Sequence, residues 1–164
     1  MNSTDEHLRR FLVRYGEVLS AGDLKVISDC YAVPALVLSD ESGVPIAARE
    51  EIEAAFDGAA ERYRAQGLVD LRPTLVASEA LSERLVFVEV RWDYLDEQGR
   101  SAQQNGYRYV LRLEEEASPK IQVVIETPWF ERTTVSELPR LQLKVKFTEH
   151  SLWDWRLQLT AYSA

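Results

Sequence analysis

The sequence predicts an α+β domain, with helices packed on one face of a curved antiparallel sheet and a β-hairpin appended at the C-terminal end. Three observations carry this. Apolar residues recur at helical spacing up to about residue 66, switch to strict alternation over 69–129, and alternate again over 141–160 on either side of a turn. Helices that precede the strands, instead of interleaving with them, belong on one side of an antiparallel meander. At 164 residues the chain is long enough to bury a sizeable core.

Each element has its own signal. Ser3 with Glu6 forms a capping-box pattern, after which Leu8, Phe11, Leu12, Tyr15, Val18 and Leu19 mark the buried stripe of a first helix. Gly22 ends that helix and Asp23 caps a short second one, with Leu24, Ile27 and Tyr31 as its inward stripe. Pro34 biases the residue before it towards extended backbone, so a strand follows over Ala35–Ser39, closed by a turn at 40–43. The run 48–66 reads as one helix, with Ile52, Ala55, Phe56, Ala59, Ala60 and Tyr63 on its apolar face and Gly67 as its stop.

Four strands are predicted next, over 69–79, 84–95, 103–114 and 119–129. Alternation separates their faces. Val86, Val88, Val90, Trp92 and Tyr94 point to the helices, as do Tyr107, Tyr109, Leu111 and Leu113, and Ile121, Val123, Ile125, Thr127 and Trp129. Glu89, Arg91, Asp93, Arg108, Arg112, Gln122, Val124 and Glu126 fall on the other face, where acids and arginines pair across strands.

The chain divides at about residue 132. Residues 1–130 carry a net charge of −9 and residues 131–164 a net charge of +1, so 1–132 is read as the domain and 133–164 as an extension. A hairpin face bearing Trp153 and Trp155 has to cover something, either its own domain or a partner subunit.

Composition narrows the function classes. A net charge of −8 argues against nucleic acid and against an anionic membrane surface. No run approaches the roughly 18 apolar residues of a spanning helix, and MNSTDEHLRR lacks an apolar signal core. Cys30 is alone, which fits a reducing cytoplasm and a buried structural thiol. His7 and His150 are isolated, no cluster has metal-ligand spacing, and no phosphate loop or nucleophile elbow is present, so neither metal nor cofactor is expected.

Two segments carry a family resemblance: YGEVLSAGDLKVISDCYAVPALVLSD at 15–40 and YRYVLRLEEEASPKIQVVI at 107–125. Over roughly residues 5–130 the chain resembles the NTF2-like superfamily, which includes SnoaL-like cyclases and ketosteroid isomerases. That resemblance implies a cone between helices and sheet that encloses a pocket. Laid against ketosteroid isomerases, Tyr15 falls on the oxyanion-stabilising tyrosine and Tyr31 on a supporting one. Ser39 occupies the position of the base and Tyr109 that of the second donor. Serine cannot abstract a carbon-bound proton, so that activity is not expected. The histidine–aspartate site of scytalone dehydratases has no counterpart, and Arg91 with Asp93 lie on the wrong face for the Asp–Arg–Asp set of limonene epoxide hydrolases.

The resemblance leaves a pocket lined by Tyr15, Tyr31, Ser39, Phe56, Tyr107, Tyr109 and Trp129, suited to a small hydrophobic or aromatic ligand. The expectation is a small-molecule-binding homodimer, paired through the sheet. Two alternatives stand beside it: a cyclase, isomerase or dehydratase using Tyr15 or Tyr109 with Asp40 or Glu126, and a dimeric protein-interaction module.

Overall fold

The structure is a computed structural model and describes residues 3–126. Helix α1 (Ser3–Ala21) and the short α2 (Leu24–Asp29) lead into β1 (Tyr31–Leu38) and β2 (Gly43–Ile46). Helices α3 (Arg49–Phe56) and α4 (Ala59–Ala65) follow, then β3 (Asp70–Ala80), β4 (Leu85–Leu95), β5 (Ser101–Arg112) and β6 (Lys120–Glu126). The strands form one sheet in the order β2-β1-β6-β5-β4-β3. The predicted α+β class holds. The hairpin expected over 141–160 lies outside the described residues.

Helix α1 buries Leu8, Phe11, Leu12, Tyr15 and Leu19 of the stripe read from its sequence, with Gly16 among them, while Val18 is only half-buried. Gly16 is there because the helix rests directly on β3; a Cβ at this position would lie 2.7 Å from the Leu71 carbonyl oxygen. Asp23 caps α2 as expected, accepting from the Val26 amide at 3.3 Å. The single helix predicted over 48–66 is two helices. Gly58 adopts φ +74°, which a helix cannot contain, and the chain turns there between α3 and α4.

The sheet differs from a pure antiparallel meander in one pair. β1 and β6 run parallel, because all the intervening elements lie between them in sequence and a parallel pair needs such a crossover. β1 is longer than predicted and begins at Tyr31 itself, and it hairpins onto the unforeseen β2 through a Ser39–Ser42 turn. β4 follows its predicted alternation, with Val86, Val88, Val90, Trp92 and Tyr94 all buried.

β6 does not. The register with β5 pairs Val110 with Val123 but Leu111 with Ile121, so Gln122 is an extra residue in a bulge. One inserted residue reverses the faces of everything after it. Ile121 and Val124 are therefore the buried pair, Val123 and Ile125 are only half-buried, and Glu126 comes to lie opposite Tyr107 on the helix-facing side.

Candidate functional site

The interior between helices and sheet is an aromatic cluster whose polar heads converge. Tyr15 projects from α1 and Tyr31 from the start of β1, and their hydroxyls meet at 2.6 Å. Tyr15 stacks on Phe11 with ring centroids 6.2 Å apart and meets Trp92 of β4 edge-on at 6.0 Å. Phe56, the last residue of α3, closes on Tyr31 at 6.3 Å. On β5, Tyr107 and Tyr109 are two residues apart, hence on one face, with their rings 6.0 Å apart. Trp92 Nε1 donates to the Tyr109 hydroxyl at 2.9 Å.

These phenols do not ionise near neutral pH. Burial pushes Tyr15 and Tyr31 well above the usual phenol range. For Tyr109 burial is again the main cause, with Tyr15, Tyr107 and the Glu126 carboxylate adding to it against the Trp92 hydrogen bond. Each stays neutral and keeps a proton to donate. Tyr109 uses its oxygen as an acceptor for Trp92, and among the described residues nothing accepts its own O–H.

Five of the seven residues expected to line a pocket come together: Tyr15, Tyr31, Phe56, Tyr107 and Tyr109. Ser39 does not join them. Its Oγ lies in the β1–β2 turn and accepts from the amides of Ser42 at 3.2 Å and Glu41 at 3.4 Å. Trp129 lies outside the described residues. Asp40, the other acid weighed for an enzyme, is exposed in the same turn.

Three residues enter this face that pocket reasoning left out. Glu126 arrives through the β6 bulge, a feature set by pairing with β5 and invisible to alternation within one strand. Gln103 and Asn105 precede Tyr107 on β5 at the same parity, opposite Tyr94 and Trp92. The spacing alone could have found them. Asn105 donates to the Tyr94 hydroxyl at 3.4 Å.

The rings of this cluster pack against one another, with neighbouring centroids 6.0–6.3 Å apart. The hollow between Leu19, Ala60, Tyr63, Leu68, Leu71 and Tyr94 holds about 10 Å³, at the lower limit for one water. A wider hollow of about 360 Å³ lies at the surface, where the start of α1 meets Leu113 and Glu114. The remaining candidates are structural. Cys30 is buried, donates to the Val26 carbonyl at 3.4 Å, and has its thiol pushed up chiefly by burial. Arg91 and Asp93 pair at 3.4 Å on the face away from Trp92. Among the described residues no group of three or more metal-ligating side chains gathers, and no helix is long and apolar enough to cross a membrane.

Comparisons with known proteins agree with this architecture. None of the curated proteins is a match in sequence. An NTF-2 like protein of unknown function from Shewanella oneidensis superposes with a TM-score of 0.56 at 16% identity, over 74% of this chain and 97% of that one. A ketosteroid isomerase-like protein from Erwinia carotovora gives 0.54 at 10% identity, over 80% and 100% of the two chains. A protein from Catenulispora acidiphila, solved in complex with S-DNPA, gives 0.55 at 15% identity, over 76% and 93%. At such identities the likeness shows the fold alone. The family model described as NTF2-like protein (DUF6841) matches residues 3–128, and the chain belongs to that family.

Proposed function

We propose that the chain binds a small, flat, weakly polar molecule within the cone, and that the Tyr109 hydroxyl donates to an acceptor oxygen on it. The uncommitted Tyr109 proton carries this reading. A buried polar group left without its hydrogen bond costs about 1–3 kcal/mol, and a ligand carbonyl would recover that loss. The Trp92 N–H polarises the Tyr109 O–H and strengthens its donation. The surrounding aromatic rings offer apolar faces to a flat molecule. Because those rings now touch one another, binding proceeds with displacement of side chains at the Tyr107–Glu126 end. The S-DNPA complex of the Catenulispora protein supports a fold able to take a small molecule.

The test uses two ligands of one shape, 4-acetylbiphenyl and 4-ethylbiphenyl, titrated calorimetrically. The ketone should bind about tenfold more tightly, and Tyr109→Phe should bring the two to equal affinity. Equal affinities for the wild type, or no binding of either, would overturn the reading.

A second reading has one observation in its favour. Glu126 acts electrostatically on Tyr109 from the same face of the sheet, and a carboxylate beside a neutral phenol can move a proton next to a carbonyl. In that case the protein should speed deuterium exchange into the methyl group of 4-acetylbiphenyl, and Glu126→Gln should abolish the exchange while binding persists. Exchange at the uncatalysed rate with wild type rejects the enzyme and leaves the binding protein standing.

A further inference from the structure

We propose that Gln103 is a specificity-determining residue of this site, donating from its side-chain amide to a second acceptor on the ligand, away from Tyr109; this rests on the ligand reading above. The inner face of β5 presents four polar-headed side chains in succession: Gln103, Asn105, Tyr107 and Tyr109. Three have an evident place in the packing. Tyr109 takes the Trp92 hydrogen bond, Tyr107 lies against Tyr109, and Asn105 serves the Tyr94 hydroxyl.

Gln103 differs from its neighbours. It stands directly opposite the fully buried Tyr94, its amide nitrogen is shut off from solvent, and among the described residues that nitrogen has no hydrogen-bond partner. A leucine would fill the same space with no polar group to satisfy. An orphaned donor on the face that also carries the free Tyr109 proton suits a ligand that brings an acceptor to each. Gln103 and Tyr109 are six residues apart on one strand, so that ligand is elongated, with acceptor oxygens towards its two ends.

The experiment adds a third compound, 4-acetyl-4′-methoxybiphenyl, to the titrations and compares wild type with Gln103→Leu and Tyr109→Phe. Wild type should prefer the methoxy ketone over 4-acetylbiphenyl by about fivefold. Gln103→Leu should lose that preference, keep its affinity for 4-acetylbiphenyl, and melt about 3 °C higher without ligand, since the orphaned amide is gone. Tyr109→Phe should lose the ketone preference and retain the methoxy one. A lower melting temperature for Gln103→Leu, an undiminished methoxy preference in it, or a wild-type preference for a 4′-hydroxyl over the methoxy would overturn the Gln103 assignment alone. Failure of wild type to bind any biphenyl would overturn the ligand reading and this assignment together.

Discussion

Asp93 illustrates how single residues on the two faces of β4 answer different demands. It lies on the face away from the rings and accepts from Ser101 Oγ at 2.7 Å, Gln104 Nε2 at 2.6 Å and Arg91 Nε at 3.4 Å. Burial pushes its carboxyl up, but the hydrogen bonds from Ser101 and Gln104 and the Arg91 charge outweigh it, and the net direction is down. A carboxyl whose folded pKa is depressed adds stability above its unfolded value near 4 and loses it as pH falls through the folded one. Asp93→Asn should therefore cost about 2 kcal/mol at pH 7, and the gap to wild type should close in urea melts towards pH 3. A gap independent of pH would mean that the charge contributes nothing. The buried tyrosines behave in the opposite sense. Their raised values keep them protonated throughout, so they add no pH dependence between pH 5 and 8.

Among the elements, β6 is the most instructive. Strict alternation assigns Val123 to the core and Val124 to the opposite face, and the bulge at Gln122 reverses them. Val124→Ala should destabilise by about 2 kcal/mol and Val123→Ala by well under 1; denaturant melts giving the reverse order would restore the unbulged strand. The α1–β3 contact makes a second test. Gly16→Ala places a methyl against the Leu71 carbonyl with no room to move, and should cost about 2 kcal/mol of stability.

These elements also mark what a sequence can and cannot disclose. Helix α1 and strand β4 were legible because one element carries its whole periodic signal. The break at Gly58, the short β2, the parallel β1–β6 pair and the β6 bulge were not, since each is decided by where another segment docks. The site divides the same way. Tyr15, Tyr31, Phe56, Tyr107 and Tyr109 follow from the periods and the resemblance, whereas Glu126 needed the register between two strands.

For the molecule as a whole, the homodimer expected through the sheet is a proposal with a specific surface. Phe87, Val110, Val123 and Leu36 follow one another across four strands by direct register on the outer face, each only half-buried. The Glu89–Arg108 pair at 3.5 Å beside them supplies both signs of charge to a second copy. Light scattering should return twice the chain mass, and Val110→Asp should return a monomer; a monomeric wild type would overturn the dimer.

On the opposite face buried, neutral phenols surround the Tyr109 proton, which nothing among the described residues accepts. Calorimetric titration of wild type and Tyr109→Phe with 4-acetylbiphenyl and 4-ethylbiphenyl tests its role as donor most directly. The ketone should bind about tenfold more tightly to the wild type, and that preference should vanish when the hydroxyl is removed. A ketone preference that survives Tyr109→Phe, or is absent from the wild type, would contradict that role.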